Sequence, residues 1–298
     1  MLIETMCYLL ALVFGLLIGN YSTTALYRLP RGITMCGFNK TFTTPPFCSY
    51  CSHPLKPWEY LPLISWFNTF GKCNYCGHKI NKVYTILEIL MSLISVILYH
   101  LVGFNDSYIL LVLFSAVCCI MGFVCLEHQG IQPYLTVGAV LLGGVYFTLQ
   151  DHTIDEWILR VALAAILVMV MLKSDSNFLR KRTPAHIILI SCTWLAGIGY
   201  LLIYLIFGLG LQLITISILQ KRYSQLLDGD IDARMKSNSP QSGALDARES
   251  RAVDKKSDTN DSPDIITGSA NYYTRSLAIW FFWLIIMVIY QQTKKYNG

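Results

Sequence analysis

Residues 48–76 read CSYCSHPLKPWEYLPLISWFNTFGKCNYC, which places two Cys-x-x-C pairs, Cys48/Cys51 and Cys73/Cys76, on a long loop between apolar runs. A Cys-x-x-C pair at a turn lets two thiolates point at one centre, and a second pair closes a tetrahedral four-sulfur site of the kind zinc prefers. The interval from Cys51 to Cys73 is close to that of a zinc ribbon. Gly71 ahead of the second pair and Gly77 behind it supply the tight backbone turns that such a knuckle needs. The competing reading is a pair of disulfides, which requires an oxidising compartment. Topology therefore decides between the two.

Composition bounds the class. With 54% hydrophobic and 14% charged residues and a mean hydropathy of +0.48, the 298-residue chain is unlike soluble domains, in which about 25% of residues are charged. It reads as an all-α polytopic membrane protein in contact with membrane lipid. The net charge of +5 is modest, and its basic residues do not interleave with aromatics along one face, which excludes a nucleic-acid partner. The first apolar run, about 6–26, follows the acidic Glu4 and carries no Lys or Arg before Arg28. That polarity is the reverse of a secretory signal and predicts a retained helix entering the cytoplasm. Its Gly15-x-x-x-Gly19 pair predicts the close approach of a second helix.

The loop that follows holds Arg28, Arg31, Lys40, Lys56, Lys72, Lys79 and Lys82 against one acid, Glu59. Such an excess predicts a cytoplasmic loop, hence reduced thiols and zinc ligation rather than disulfides. Apolar runs at about 83–101, 108–126, 134–150 and 156–172 each approach the length of ~20 residues that crosses hydrocarbon. Links 103–108 and 151–156 lack Lys and Arg and are expected outside. Link 173–183, with Lys173, Arg180, Lys181 and Arg182, is expected in the cytoplasm, as is 127–133 by count.

Residues 184–219 are apolar for too long to be one span and predict a hairpin, broken at Gly197, Gly199, Gly208 or Gly210. Residues 224–272 are polar and predict a disordered cytoplasmic linker. A last span at about 275–291 brings the expected total to about eight transmembrane helices, with the four-cysteine zinc loop between the first two. The expected divisions are 1–27 (first helix), 28–82 (metal loop), 83–223 (helical bundle), 224–272 (linker) and 273–298 (last helix and tail). Cys118, Cys119, Cys125 and Cys192 read as small hydrophobes within apolar runs. Trp280, Trp283 and Tyr290 read as interfacial aromatics.

The run Gly15-Leu-Leu-Ile-Gly19, then Tyr27-Arg28-Leu29-Pro30, the cysteine-rich stretch, and Ile80 to Glu88 (INKVYTILE) together resemble the bacterial type IV prepilin peptidases across roughly residues 10–90. Trp58-Glu59, Pro62, Ser65-Trp66, Gly71-Lys72-Cys73 and Glu88 are the most specific positions. The resemblance implies an eight-helix protein of the bacterial inner membrane with a cytoplasmic zinc loop. It also implies an aspartic endopeptidase and N-methyltransferase acting on prepilins of type IV pili or pseudopilins of type II secretion, with S-adenosylmethionine as methyl donor.

Cleavage in that family resembles intramembrane aspartyl proteolysis, in which two carboxylates share a proton and activate water. This sequence departs from the pattern at both acids. The first string reads Cys125-Leu126-Glu127-His128-Gln129, with Gln132-Pro133 where Pro-Asp is expected. The second loop, 173–184, has no glycine and carries Pro184 at the second acid's place. A thiol and a proline cannot form that pair. Glu127 and Asp175 are acids in the same two links and remain the candidate displaced pair, the alternative being solvated loop acids. Two functions stay open. One is a leader peptidase and N-methyltransferase, and the other is an inactive relative that binds pilin-like substrates or assembly partners.

Overall fold

The computed structural model describes residues 2–33, 35, 47–59, 61, 69–127, 133–150, 198–237 and 265–297, with scattered positions between 155 and 195. Its named elements are helices: α1 (Leu2–Arg28), α2 (Lys82–Val102), α3 (Asp106–Leu126), α4 (Pro133–Thr148), α5 (Ile198–Ser237) and α6 (Ile265–Asn297). Five of them contain stretches long and apolar enough to cross a membrane, and α4 is a shorter apolar helix. The all-α, multi-pass architecture expected from composition is thus present. The expected span at 156–172 falls largely outside the described residues, and the first arm of the 184–219 hairpin is described at 186–187 and 189–195.

Helix ends follow local chemistry. Glu4 in the first turn of α1 and Arg28 in its last turn both complement the helix dipole. Asn81 caps α2, its side chain accepting from the Val83 amide at 3.1 Å, and Asn105 caps α3, accepting from Tyr108 at 2.8 Å. Pro133 opens α4, where its missing N–H costs nothing.

The glycine pair of α1 does what its spacing predicts. A Cβ at Gly15 would lie 2.7 Å from the Ser92 Cα and 2.8 Å from the Met91 carbonyl, and one at Gly19 would lie 2.9 Å from the Glu88 Cα. The backbones of α1 and α2 therefore touch, and Ser95 of α2 donates to the Ala11 carbonyl at 2.7 Å. The centre of the bundle is α3, with Leu111, Val112, Phe114, Cys118 and Cys119 all fully buried. Cys125 and Cys192 are buried too, as expected of cysteines acting as small hydrophobes. Large apolar side chains on the outer faces, among them Leu10, Leu17, Ile206 and Leu213, face outward as lipid-contacting residues do.

Two expectations change. The hairpin breaks ahead of three of its candidate glycines: 189–194 are helical, Leu195 bends, and α5 restarts at Ile198 and runs unbroken through Gly199, Gly208 and Gly210. The glycine at 208 serves packing instead, since a Cβ there would overlap the Trp280 ring. Trp280 is accordingly a buried residue of the α5–α6 contact, not an interfacial aromatic, and its indole N–H donates to Gln212 Oε1 at 2.8 Å. Helix α5 continues past 223 to Ser237, and α6 begins at Ile265. The remainder of the expected linker, 238–264, lies outside the described residues.

Candidate metal centre

The four cysteines come together at one end of the α1–α2 pair, with all four Sγ atoms within 4.8 Å of one another. Each pair sits in a knuckle of the same construction. In the first, the Cys48 N–H donates to the His53 carbonyl (3.0 Å) and the Ser52 N–H to the Cys48 carbonyl (2.9 Å). In the second, Cys73 donates to His78 (2.9 Å) and Gly77 to Cys73 (2.9 Å). The residue after each second cysteine takes a left-handed conformation, φ +56° at Ser52 and φ +70° at Gly77, which turns the chain back under its own thiolates. Short bridges, Phe47 with Pro54 and Lys72 with Lys79, close the base of each knuckle.

This donor set fits a single metal ion. A tetrahedral site with Zn–S bonds of about 2.3 Å has S···S edges of about 3.8 Å, and Cys48 Sγ lies 3.9 Å from Cys76 Sγ. Burial raises the Cys48 thiol, but amides of Cys51 and Tyr50 and the neighbouring thiols outweigh it and lower its pKa to about 7. At Cys76 the His78 amide lowers the pKa, yet desolvation and the other three thiols dominate and push it up to about 12. Four thiols this close resist sharing four negative charges without a cation among them.

Cysteine spacing alone does not reveal how the knuckles lock together. The Tyr50 ring stacks on His78 with centroids 4.2 Å apart and planes 3° from parallel, and Tyr75 packs on His53 at 3.6 Å. Each knuckle thus places its tyrosine on the other's histidine. The signal was present as a repeat, Cys-x-Tyr-Cys-x-His at 48–53 and again at 73–78. Glu59 adds a further tie. It accepts from the Lys56 amide (2.8 Å), the Asn74 side chain (3.2 Å) and the Tyr75 hydroxyl (3.2 Å), and the Lys56 amide is the largest influence holding its carboxyl below the usual range.

Between this loop and the helix ends lies a cleft of ≈ 180 Å³, lined among others by Arg28, Glu59, Lys72, Lys79 and Glu88. Arg28 and Glu88 are largely buried on α1 and α2, and the Arg28 guanidinium lies 5.7 Å from the Phe47 ring centroid.

Of the candidate acids, only Glu127 lies within the described residues. Glu127 caps the end of α3, half-buried, its N–H donating to the Phe123 carbonyl at 3.0 Å. Cys125, two residues earlier, is fully buried among apolar neighbours. Asp175, Pro184 and His128 lie outside the described residues.

A multi-pass helical membrane protein with a four-cysteine loop joining its first two helices is the class these features define. Residues 13–102 match the family model described as the bacterial peptidase A24 N-terminal domain. The prepilin leader peptidase/N-methyltransferase of Stutzerimonas stutzeri is 28% identical over 167 residues, covering 48% of this chain and 57% of that protein. The protein of the same description from Bacillus subtilis is 31% identical over 148 residues, covering 49% and 55%. That from Vibrio cholerae is 30% identical over 105 residues, covering 34% and 42%. These matches show that the chain is similar to this family, most closely in its N-terminal part. It spans about half the length of the curated relatives it matches, and no solved structure matches it.

Proposed function

We propose that this protein engages pilin-like chains, the prepilins of type IV pili or pseudopilins of type II secretion, at its metal loop in the bacterial inner membrane, and does not cleave their leaders. The observation that carries this reading is Cys125. It occupies the place of the family's first catalytic acid by resemblance and is sealed in the apolar core of α3. A thiol there cannot share a proton with a carboxylate or activate water.

Cys48, Cys51, Cys73 and Cys76 would hold zinc, which supplies a closed, structural crosslink with no open coordination position. The excess of Lys and Arg in 28–82 supports a cytoplasmic loop. The cleft beneath the loop presents Arg28, Lys72 and Lys79 beside Glu59 and Glu88. Charges of both signs suit a zwitterionic methyl donor such as S-adenosylmethionine, so methyl transfer is the activity this chain could retain. A second reading, leader cleavage by a displaced acid pair of Glu127 and Asp175, is favoured by one observation, the half-buried Glu127 at the end of α3, two residues beyond Cys125.

Binding and methyl transfer are tested with the full-length protein in nanodiscs and a prepilin-type peptide spanning leader and first apolar helix. Crosslinking of the peptide to the loop, abolished by a zinc chelator, is the expected outcome. A peptide captured equally well after chelation would sink the role given to the loop. Methylation is scored on the same peptide after its leader has been removed chemically.

A further inference from the structure

Two non-glycine residues among those described hold a left-handed backbone, Ser52 at φ +56° and Phe70 at φ +50°. Ser52 completes the first metal knuckle. Phe70 stands ahead of the second, in a turn where the Lys72 N–H donates to the Thr69 carbonyl at 3.1 Å and Gly71 follows at φ +69°. Positive φ at both central residues of a turn suits asparagine and glycine, and strains a bulky aromatic most. The Phe70 side chain is also 84% exposed. The turn thus carries a backbone cost and an exposed apolar ring together, and asparagine or glycine at 70 would avoid both.

The turn lies level with the start of α2. Lys72 pairs with Lys79 in an antiparallel bridge, and the Ile80 N–H donates to the Gly71 carbonyl at 2.8 Å. The chain running back from Cys73 to Phe70 therefore keeps pace with the chain running forward to Asn81, the cap of α2. The outward apolar stripe of α2, with Ile86, Ile89 and Leu93 exposed, begins one turn further on. From Asn81 to Ile86 is about 7 Å along the axis at ~1.5 Å per residue, and the headgroup layer is roughly 5–7 Å deep on each side of the hydrocarbon. Phe70 is accordingly held at headgroup depth. Lys72, Lys79 and Lys82 are exposed on the same stretch, and residues 28–82 hold a single acid, Glu59.

We propose that Phe70 is an interfacial anchor, its ring entering the headgroup layer beside α2 while Lys72, Lys79 and Lys82 meet anionic phospholipid. The depth of the turn and the one-sided charge of the loop select a lipid surface over a second protein. The anchor fixes the height of the metal loop above the membrane.

The test places the photoreactive analogue p-benzoylphenylalanine at position 70 of the full-length protein, in nanodiscs of phosphatidylcholine doped with phosphatidylglycerol and without any pilin-type peptide. Adducts formed on irradiation are identified by mass spectrometry. Phospholipid adducts are expected, with phosphatidylglycerol enriched over its share of the bilayer. Lys72→Gln with Lys79→Gln should lower that enrichment, by up to roughly fivefold for each charge removed. Adducts confined to the protein's own chain, or to a second copy of it, would overturn the proposal. Phe70→Asn provides an independent arm. It should leave the thermal midpoint in detergent unchanged or raised, because the left-handed turn is relieved, yet speed hydrogen exchange of residues 69–81 in the nanodisc. A lowered midpoint or unaltered exchange would show Phe70 serving the fold alone and would also overturn it.

Discussion

At the scale of single residues, the metal loop makes two sharp demands. Cys73 is the buried one of the four cysteines, so if they hold the proposed metal, Cys73→Ser should release it and expose the loop to protease, with wild type carrying about one equivalent. Full metal content in the variant, measured by elemental analysis, would refute the site. Ser52 and Gly77 occupy the same left-handed position in the two knuckles, yet only one is glycine. Ser52→Gly should relieve about 1 kcal/mol of backbone strain and Gly77→Ala should introduce a similar cost, read as opposite shifts in the chelator concentration that empties the site. The four cysteines were legible because ligand spacing is a local property. The crossed Tyr50–His78 and Tyr75–His53 contacts were not, because they exist only once the two knuckles face each other, although the repeat that produces them lies in the sequence.

At the scale of elements, the α1–α2 crossing depends on absent side chains. A side chain at Gly15 would press on the backbone of Ser92 and Met91, which cannot move aside as a flexible side-chain tip could. Gly15→Leu should therefore cost at least the ~1–3 kcal/mol typical of overpacking and loosen the metal loop that the pair supports. Gly138→Ala in α4, where nothing lies within 4 Å, should be neutral or raise the thermal midpoint, because alanine favours helix by roughly 1 kcal/mol. Equal destabilisation by both would contradict the crossing. The glycine pair could be read from its spacing. The burial of Trp280 could not, since its partner Gln212 is 68 residues away in sequence and an isolated tryptophan in an apolar helix looks the same at an interface or in a core. Span length requires a break in 184–219 but leaves Gly197, Gly199, Gly208 and Gly210 equal as candidates, whereas Gly208 lies within α5 packed against Trp280.

At the scale of the whole molecule, charge bias and helix order predict one orientation. A reporter active only in the cytoplasm should work when fused after Lys82 and fail after Asp106, and activity at Asp106 would invert the proposed placing of the loop. Within the molecule the four cysteines of the loop stand close together, whereas the position expected by resemblance to hold an acid carries a buried thiol. The measurement that bears most directly on this contrast is leader cleavage of a prepilin by the purified full-length protein, followed by mass spectrometry alongside Glu127→Gln and Asp175→Asn. General acid and base groups typically contribute about 10²- to 10⁴-fold each, so the account predicts no cleavage above background in wild type or in Cys125→Asp alone. Robust wild-type cleavage that disappears in Glu127→Gln or Asp175→Asn would contradict it and establish a displaced acid pair.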